Sequence, residues 1–212
     1  MAVDSQLEYD DAQPVDEQPQ QATATEPALP AKEGAIFGVS AFLLSYFASL
    51  TFVKGVLTMG GSTPDDIAAT WKLATWALLS GLGAGIEADG EAVALGQAAG
   101  SELLFIAAPF LMLVPLVALA AVGYSMAKYT NAADATEAAK AGALVVPGWL
   151  ALTVGFAFLS GWESEAEVAF ELATQDAILF AGVLIPAVFA ITGGLLYSWP
   201  DPAEKVLAKI DG

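Results

Sequence analysis

The chain has 212 residues, of which 56% are hydrophobic and only 15% are charged, and its mean hydropathy is +0.61. Soluble domains carry about 25% charged residues, so this composition argues against a water-soluble protein and predicts an integral membrane protein. The 24 acidic residues outnumber the 7 basic residues, and the resulting net charge of −17 argues against nucleic acid as a partner.

Missing residue types restrict the chemistry further, because the chain contains no Cys, no His and no Arg. Their absence excludes disulfides, nearly all zinc sites and the usual acid–base group at neutral pH. We therefore predict no catalytic residue, no cofactor, no metal site and no enzymatic activity. The acidity favours a halophilic protein, since concentrated salt screens repulsion between carboxylates. An ordinary membrane protein with an acidic tail and acidic loops is the alternative.

The first segment, residues 1–33, is predicted to be a disordered acidic tail. It is rich in acidic residues, Pro and Gln, and Lys32 is its only basic residue. Such a composition provides too little apolar surface to offset the entropy lost on folding. The segment also lacks the basic start and apolar core of a secretory signal.

Four long uncharged runs follow the tail. They are Gly34–Val53, Leu103–Ala127, Ala141–Trp162 and Ala177–Pro200. About 20 helical residues cross a bilayer, and a backbone in lipid must satisfy its own hydrogen bonds. Each run is therefore predicted to be a transmembrane helix, and together they form a bundle over residues 34–200.

Small residues and prolines divide these runs. Gly34 with Gly38, and Ala190 with Gly194, are spaced four apart and favour close helix contacts. Prolines inside a helix remove backbone donors and favour kinks, which would give either plain packing or a bent bundle with a moving part. The prolines concerned are Pro109, Pro115, Pro147 and Pro186.

A fifth, shorter run, Leu73–Ile86, is broken by glycines. Thr63 and Pro64 predict a helix N-terminus ahead of it. Its length suits an interfacial or re-entrant helix, although Ala68–Ile86 could cross if Lys72 snorkels. The predicted fold class is therefore an all-α integral membrane bundle with four transmembrane helices plus this interfacial or re-entrant helix, and five spans are the alternative.

The connections are expected to be partly helical. Asn131 is predicted to cap a helix over Ala132–Ala141. Ser164–Ala173 is predicted to form an amphipathic helix on the outer surface. The segment Ala84–Ser101 is expected to lack regular structure, apart from a turn at the Asp-Gly pair at residues 89–90.

Lysine placement predicts the orientation in a cell membrane. Lys128 and Lys140 flank the connection between the second and third runs, whereas 161–176 is acidic and contains no Lys. The positive-inside rule then places the 128–140 loop and the C-terminal tail, 201–212, in the cytoplasm. The N-terminus is inside with four spans and outside with five.

The candidate site residues lie at the ends of the runs, where Trp and Lys favour the lipid–water boundary. The predicted interface anchors are Trp71, Lys72, Trp76, Trp162 and Trp199. Lys54 and Glu102 could form a charge pair between neighbouring helices, or serve separately as interface anchors.

Two functions remain open from these residues. The first is a structural or accessory subunit that packs in the lipid bilayer with copies of itself or with a larger membrane complex. The second is a small solute or ion transporter or channel. Polar residues that converge on a hydrated cavity would favour transport, whereas contacts with helices or lipid would favour the accessory role. The residues concerned are Ser40, Ser45, Thr153 and Thr192.

Three stretches carry a resemblance to a known family. They are Gly34–Phe52 (GAIFGVSAFLLSYFASLTF), Trp71–Trp76 (WKLATW) and Glu137–Leu152 (EAAKAGALVVPGWLAL). The order of these stretches resembles haloarchaeal multi-span membrane proteins of uncharacterised function. The resemblance implies a membrane location and adaptation to salt, and it implies no catalytic residues.

Overall fold

The computed structural model describes residues 30–60, 69–99, 106, 110–164 and 167–199. Within these ranges the chain is mostly helical, with a small antiparallel sheet. Most of the predicted acidic tail, Thr63 and Pro64, Pro109 and the C-terminal tail lie outside the described residues. The first helix begins at Ala31, slightly ahead of the predicted boundary at Gly34.

The helices follow the predicted apolar runs. They are α1 (Ala31–Gly60), α2 (Thr70–Gly81), α3 (Leu95–Ala98), α4 (Leu113–Tyr129), α5 (Ala135–Ala143), α6 (Val146–Leu159), α7 (Thr174–Asp176) and α8 (Ile185–Ser198), and a π-helix (Ala177–Leu184) joins the last two. Three helical stretches are long and apolar enough to cross a membrane, namely Ala31–Met59, Ala135–Leu159 and Thr174–Ser198. The helix α4 is apolar but shorter.

Prolines mark the starts of helices. Pro115, Pro147 and Pro186 lie in the first turns of α4, α6 and α8. The first N–H groups of a helix have no partner within it, so proline costs little at Pro115 and Pro147. Pro186 differs, because the π-helix runs directly into α8.

Glycines bring the helices into backbone contact. A Cβ on Gly38 of α1 would lie 2.0 Å from the carbonyl oxygen of Val145, at the start of α6. On the other side of the bundle, a Cβ on Gly194 of α8 would lie 2.3 Å from the carbonyl oxygen of Ala138 in α5. The prediction of close contacts at these small residues is confirmed.

One end of the bundle holds the start of α1, the α4–α5 connection and the end of α8. Gly34 lies against Leu144, and Gly194 lies against Ala138. The rings of Phe37 and Tyr129 are 6.3 Å apart. We call this the lysine end, because Lys32 lies at the start of α1, Lys128 at the end of α4 and Lys140 in α5.

The opposite end carries the sheet, where α6 terminates. Its strands are β1 (Ile86–Ala88), β2 (Glu91–Val93), β3 (Trp162–Glu163) and β4 (Ala169–Leu172), in the order β2-β1-β4-β3. Asp89 and Gly90 join β1 to β2 with φ angles of 49° and 83°, as a type I′ hairpin turn requires. The predicted Asp-Gly turn is confirmed.

The sheet corrects two predictions about connections. Ala84–Ser101 contains the β1–β2 hairpin and α3, so the expectation of no regular structure was wrong. Ser164–Ala173 contains β4 in place of the predicted amphipathic helix. Phe170 and the buried Leu172 point inward while Glu171 is exposed, an alternation that a strand satisfies and a helix does not. The all-α prediction therefore holds for the bundle but not for the sheet end.

The helix α5 begins later than predicted. Asp134, and not Asn131, is its N-cap, and its carboxylate accepts hydrogen bonds from the N–H groups of Thr136 and Glu137. Asn131 instead has a φ of 50°, just after α4 ends. Asn tolerates this left-handed conformation, which commonly ends a helix, so its position is explained by the preceding helix.

Candidate functional site

The short helix α2 is deeply enclosed by the rest of the described structure. Every residue from Leu73 to Leu79 is buried, although the helix has only 12 residues. Ser49 of α1 donates a hydrogen bond to the carbonyl of Ala74 across 2.8 Å. On the opposite side, the ring of Trp76 lies 6.2 Å from that of Phe170 in β4. The helix α2 is thus held between α1 and the sheet.

Both ends of α2 lie at the sheet end of the bundle. Near its start, the Lys72 ammonium donates a hydrogen bond to the carbonyl of Gly161, just after α6. Shortly after its end, a Cβ on Gly85 would lie 3.3 Å from the Cβ of Ala173. A helix that begins and ends at the same end of a bundle does not connect its two ends.

The predicted interface anchors occupy different environments. Trp71 and Trp199 are exposed, and the Lys72 ammonium lies 5.6 Å from the centre of the Trp71 ring. Trp162 is half-buried and stacks on Phe170 at 5.5 Å. Trp76 is fully buried, so its side chain packs in the protein core and faces no lipid boundary.

The structure describes only one residue of the predicted charge pair. Lys54 is exposed on α1. Glu102 lies outside the described residues, so its pairing with Lys54 stays a prediction. Among the residues that the structure describes, no charged side chain is buried, and the buried polar side chains other than the aromatic ones all carry a hydroxyl group. They are Ser45, Ser49, Thr75, Thr153 and Ser160.

The four hydroxyl groups that distinguish the two functions do not share one environment. Ser40 and Thr192 are exposed, whereas Ser45 and Thr153 are buried. Each donates to a carbonyl four residues earlier in its own helix, at 2.7–3.1 Å. These hydroxyl groups therefore form hydrogen bonds within their own helices and do not line a shared polar path.

A cavity of about 500 Å³ lies between the end of α2, the β1–β2 hairpin and the segment that precedes α4. Its wall includes the apolar side chains of Ile86, Val93, Leu95, Ile106 and Met112. The wall also includes Ser80, whose side chain carries a hydroxyl group. An apolar wall of this kind suits hydrophobic groups better than ions. Within the described ranges, no group of three or more acidic side chains is arranged to hold a metal ion.

The acidic residues of the sheet have structural partners or lie on its outer face. The Asp89 carboxylate accepts a hydrogen bond from the N–H of Ala169, across 3.0 Å, and so ties the hairpin turn to β4. Glu87 of β1 lies directly opposite Glu171 of β4. Glu163 of β3 pairs with Ala169.

Sequence reasoning missed a buried hydrogen bond in the middle of the bundle. The indole Nε1–H of Trp149 in α6 donates to the carbonyl of Ala181 in the π-helix across 2.9 Å. Phe42 packs edge-on against the Trp149 ring at 5.2 Å. Pro186 follows shortly after Ala181 and was the only sequence feature that pointed to a break there.

The helices and the sheet define a helical bundle with three stretches of membrane-spanning length and apolarity, capped at one end by a small sheet. The family model described as "Family of unknown function (DUF7978)" matches residues 14–201, and the chain belongs to this family. Comparison with curated proteins found no match, and neither did comparison with solved structures.

Proposed function

We propose that the protein is a multi-pass protein of the cell membrane that acts as a structural or accessory subunit, packing with copies of itself or with a larger membrane complex. Its outer surface supports the membrane location. Large apolar side chains are exposed on α1, α4, α6 and the π-helix, where water would make them costly. Examples are Leu44, Phe47, Val117, Phe158 and Leu184.

A topology of four spans fits the arrangement of the two ends. The helix α2 begins and ends at the sheet end, so it would not cross the membrane. Four crossings would be made by α1, the segment that ends with α4, α5–α6 and the Thr174–Ser198 stretch. The lysine end, with the start of α1 and the end of α8, would then face the cytoplasm under the positive-inside rule.

The observation that carries the accessory role is the lack of buried charged side chains in the described part of the bundle. Its buried polar side chains are serines and threonines, and charged side chains are exposed or half-buried. Ion and proton paths through membranes normally use ionisable residues that face the bundle interior. A bundle without them is better suited to packing against other helices.

Purification from native membranes after mild cross-linking tests this proposal. The expected result is a homo-oligomer or a partner recovered in constant proportion with the chain. A monomer that retains no partner, in gentle detergent and in nanodiscs, would contradict the accessory role.

A transporter or channel is the second candidate, because the Thr174–Ser198 stretch contains a π-helix followed by Pro186. Irregular helices of this type often occur at functional sites. Solute or ion flux into liposomes that contain the purified protein, above the leak of empty liposomes, would favour this candidate over the accessory role.

A further inference from the structure

The π-helix changes the backbone hydrogen-bond pattern immediately before Pro186. At its end, the N–H of Ile185 donates to the carbonyl of Phe180, five residues earlier. If the same five-residue spacing continued to the next residue, the N–H of residue 186 would donate to the carbonyl of Ala181. Proline has no N–H, so the helix itself offers this carbonyl no donor.

Trp149 supplies the missing donor from the neighbouring helix. Its indole N–H reaches the carbonyl of Ala181 at 2.9 Å, and both residues are fully buried. A buried carbonyl without a partner is strongly disfavoured, so this bond stabilises the π pattern.

The ordinary α-helical pattern would leave a different carbonyl without a donor. The N–H of Ile185 would then bond to Ala181, and the carbonyl of Gly182 would face Pro186. The two patterns thus both give the N–H of Ile185 an acceptor, and in neither pattern does residue 186 donate a bond. They differ because Trp149 bonds to the carbonyl that only the π pattern leaves free.

We propose that Thr174–Leu184 is a conformational switch with two hydrogen-bond patterns, and that the Trp149 indole holds it in the π pattern. Conversion to the α pattern would turn the preceding segment by roughly one residue, ~100° about the helix axis. This inference does not depend on the proposed function.

Such a turn would reach the sheet end. Phe180 of the π-helix lies over Gly83, where an added Cβ would be 3.2 Å from the Phe180 Cβ. The N–H of Ala173, just ahead of α7, donates to the carbonyl of Gly85 across 2.9 Å. Because Gly85 also borders the apolar cavity, the switch would couple the bundle interior to that cavity.

Spin-label distances test the switch, and a chain without Cys makes labelling specific. Labels on cysteines introduced at Leu179 and Leu195, both exposed, span the change of pattern. Trp149→Phe keeps an aromatic ring and removes the donor. We expect a second distance population in this variant, and the wild-type distribution in the control Trp71→Phe, which changes an exposed indole.

Pro186→Ala gives a second test that keeps the indole. A donor at residue 186 removes the free carbonyl at Gly182 that disfavours the α pattern, whereas in the π pattern the carbonyl of Ala181 already has the indole as its donor. Gel filtration and circular dichroism in detergent identify the variants that fold. A second distance in either folded variant supports the switch, and the wild-type distance alone in every folded variant overturns it.

If neither variant folds, the wild-type protein must show the second distance on warming below its unfolding transition, and a single distance there overturns the proposal.

Discussion

Individual glycines determine how closely α1 and α6 approach. Gly38 has no room for a side chain, since a Cβ would lie 2.0 Å from the carbonyl oxygen of Val145. Gly148 meets α1 in the same way, with a Cβ position 1.9 Å from the carbonyl oxygen of Ala35. The small residues therefore serve helix packing at this crossing.

Replacing Gly38 with Ala is expected to force the two helices apart and to destabilise the protein by about 1–3 kcal/mol, the usual cost of overpacking. The matched control is Gly55→Ala on the same helix, where an added Cβ meets nothing within 4 Å. Thermal unfolding in detergent compares the two. Equal stability of both variants would contradict the close crossing.

Lys54 provides a second test at the residue scale. Its side chain is exposed on α1, so Lys54→Met is expected to leave insertion and folding intact. Membrane-fraction yield and gel filtration of the purified variant check this. Loss of assembled protein would instead indicate that Lys54 belongs to a buried pair with Glu102.

Single helices were easier to predict than the contacts between distant segments. The apolar runs predicted α1, α6 and α8 well, because a long uncharged run that is expected to lie in lipid has few alternatives to a helix. The sheet was missed because its strands are two to four residues long and pair across a wide sequence separation. Such pairing depends on tertiary contacts, such as Trp76 on Phe170, that leave little trace in local periodicity.

For the candidate site residues, the sequence predicted where each residue lies along a helix better than it predicted which group each side chain would bond to. The boundary position of Lys72 did not reveal its bond to the carbonyl of Gly161, since the two lie far apart in sequence. Likewise, the sequence shows that Trp149 is a large aromatic residue, but the carbonyl that accepts its indole hydrogen bond depends on the backbone pattern of the π-helix.

The N-cap of α5 gives a test at the scale of an element. Asp134→Ala removes the acceptor for the N–H groups of Thr136 and Glu137, and is expected to cost about 0.5–2 kcal/mol. Asp134→Asn is the control, because Asn also caps helices well. Chemical unfolding of both variants in detergent measures the difference, and a loss of equal size in each would argue against the capping role.

The sheet gives a second test at this scale, through its response to salt. Glu87 and Glu171 are directly opposite each other, and like charges in such a pair repel. Glu87→Gln is expected to stabilise the protein at low salt by an amount on the order of 0.2–1 kcal/mol, and less in molar salt, where the Debye length is about 3 Å.

The control for this comparison is Glu91→Gln in β2, whose partner in β1 is Ala88. Unfolding temperatures at low and molar salt are the measurement. A gain from Glu87→Gln that is as large in molar salt as in dilute buffer would show that charge repulsion is not its cause.

At the scale of the whole molecule, charge and apolarity divide the protein into three zones. One end holds Lys32, Lys128 and Lys140 beside the carboxylates at the start of α5. The other end holds the carboxylates of the sheet together with Lys72. Between them lie helices with exposed apolar side chains and buried hydroxyls that are satisfied within the protein. This arrangement matches a bilayer with water on both sides.

Labelling of single introduced cysteines with a membrane-impermeant maleimide, in intact and in opened cells, tests the membrane topology directly. The positions are Lys32 and Asn131 at the lysine end and Glu91 at the sheet end, all exposed. The four-span account predicts labelling of Glu91→Cys in intact cells, and of Lys32→Cys and Asn131→Cys only after opening. Labelling of Lys32→Cys in intact cells would contradict four spans, and labelling of all three would contradict a membrane-spanning bundle.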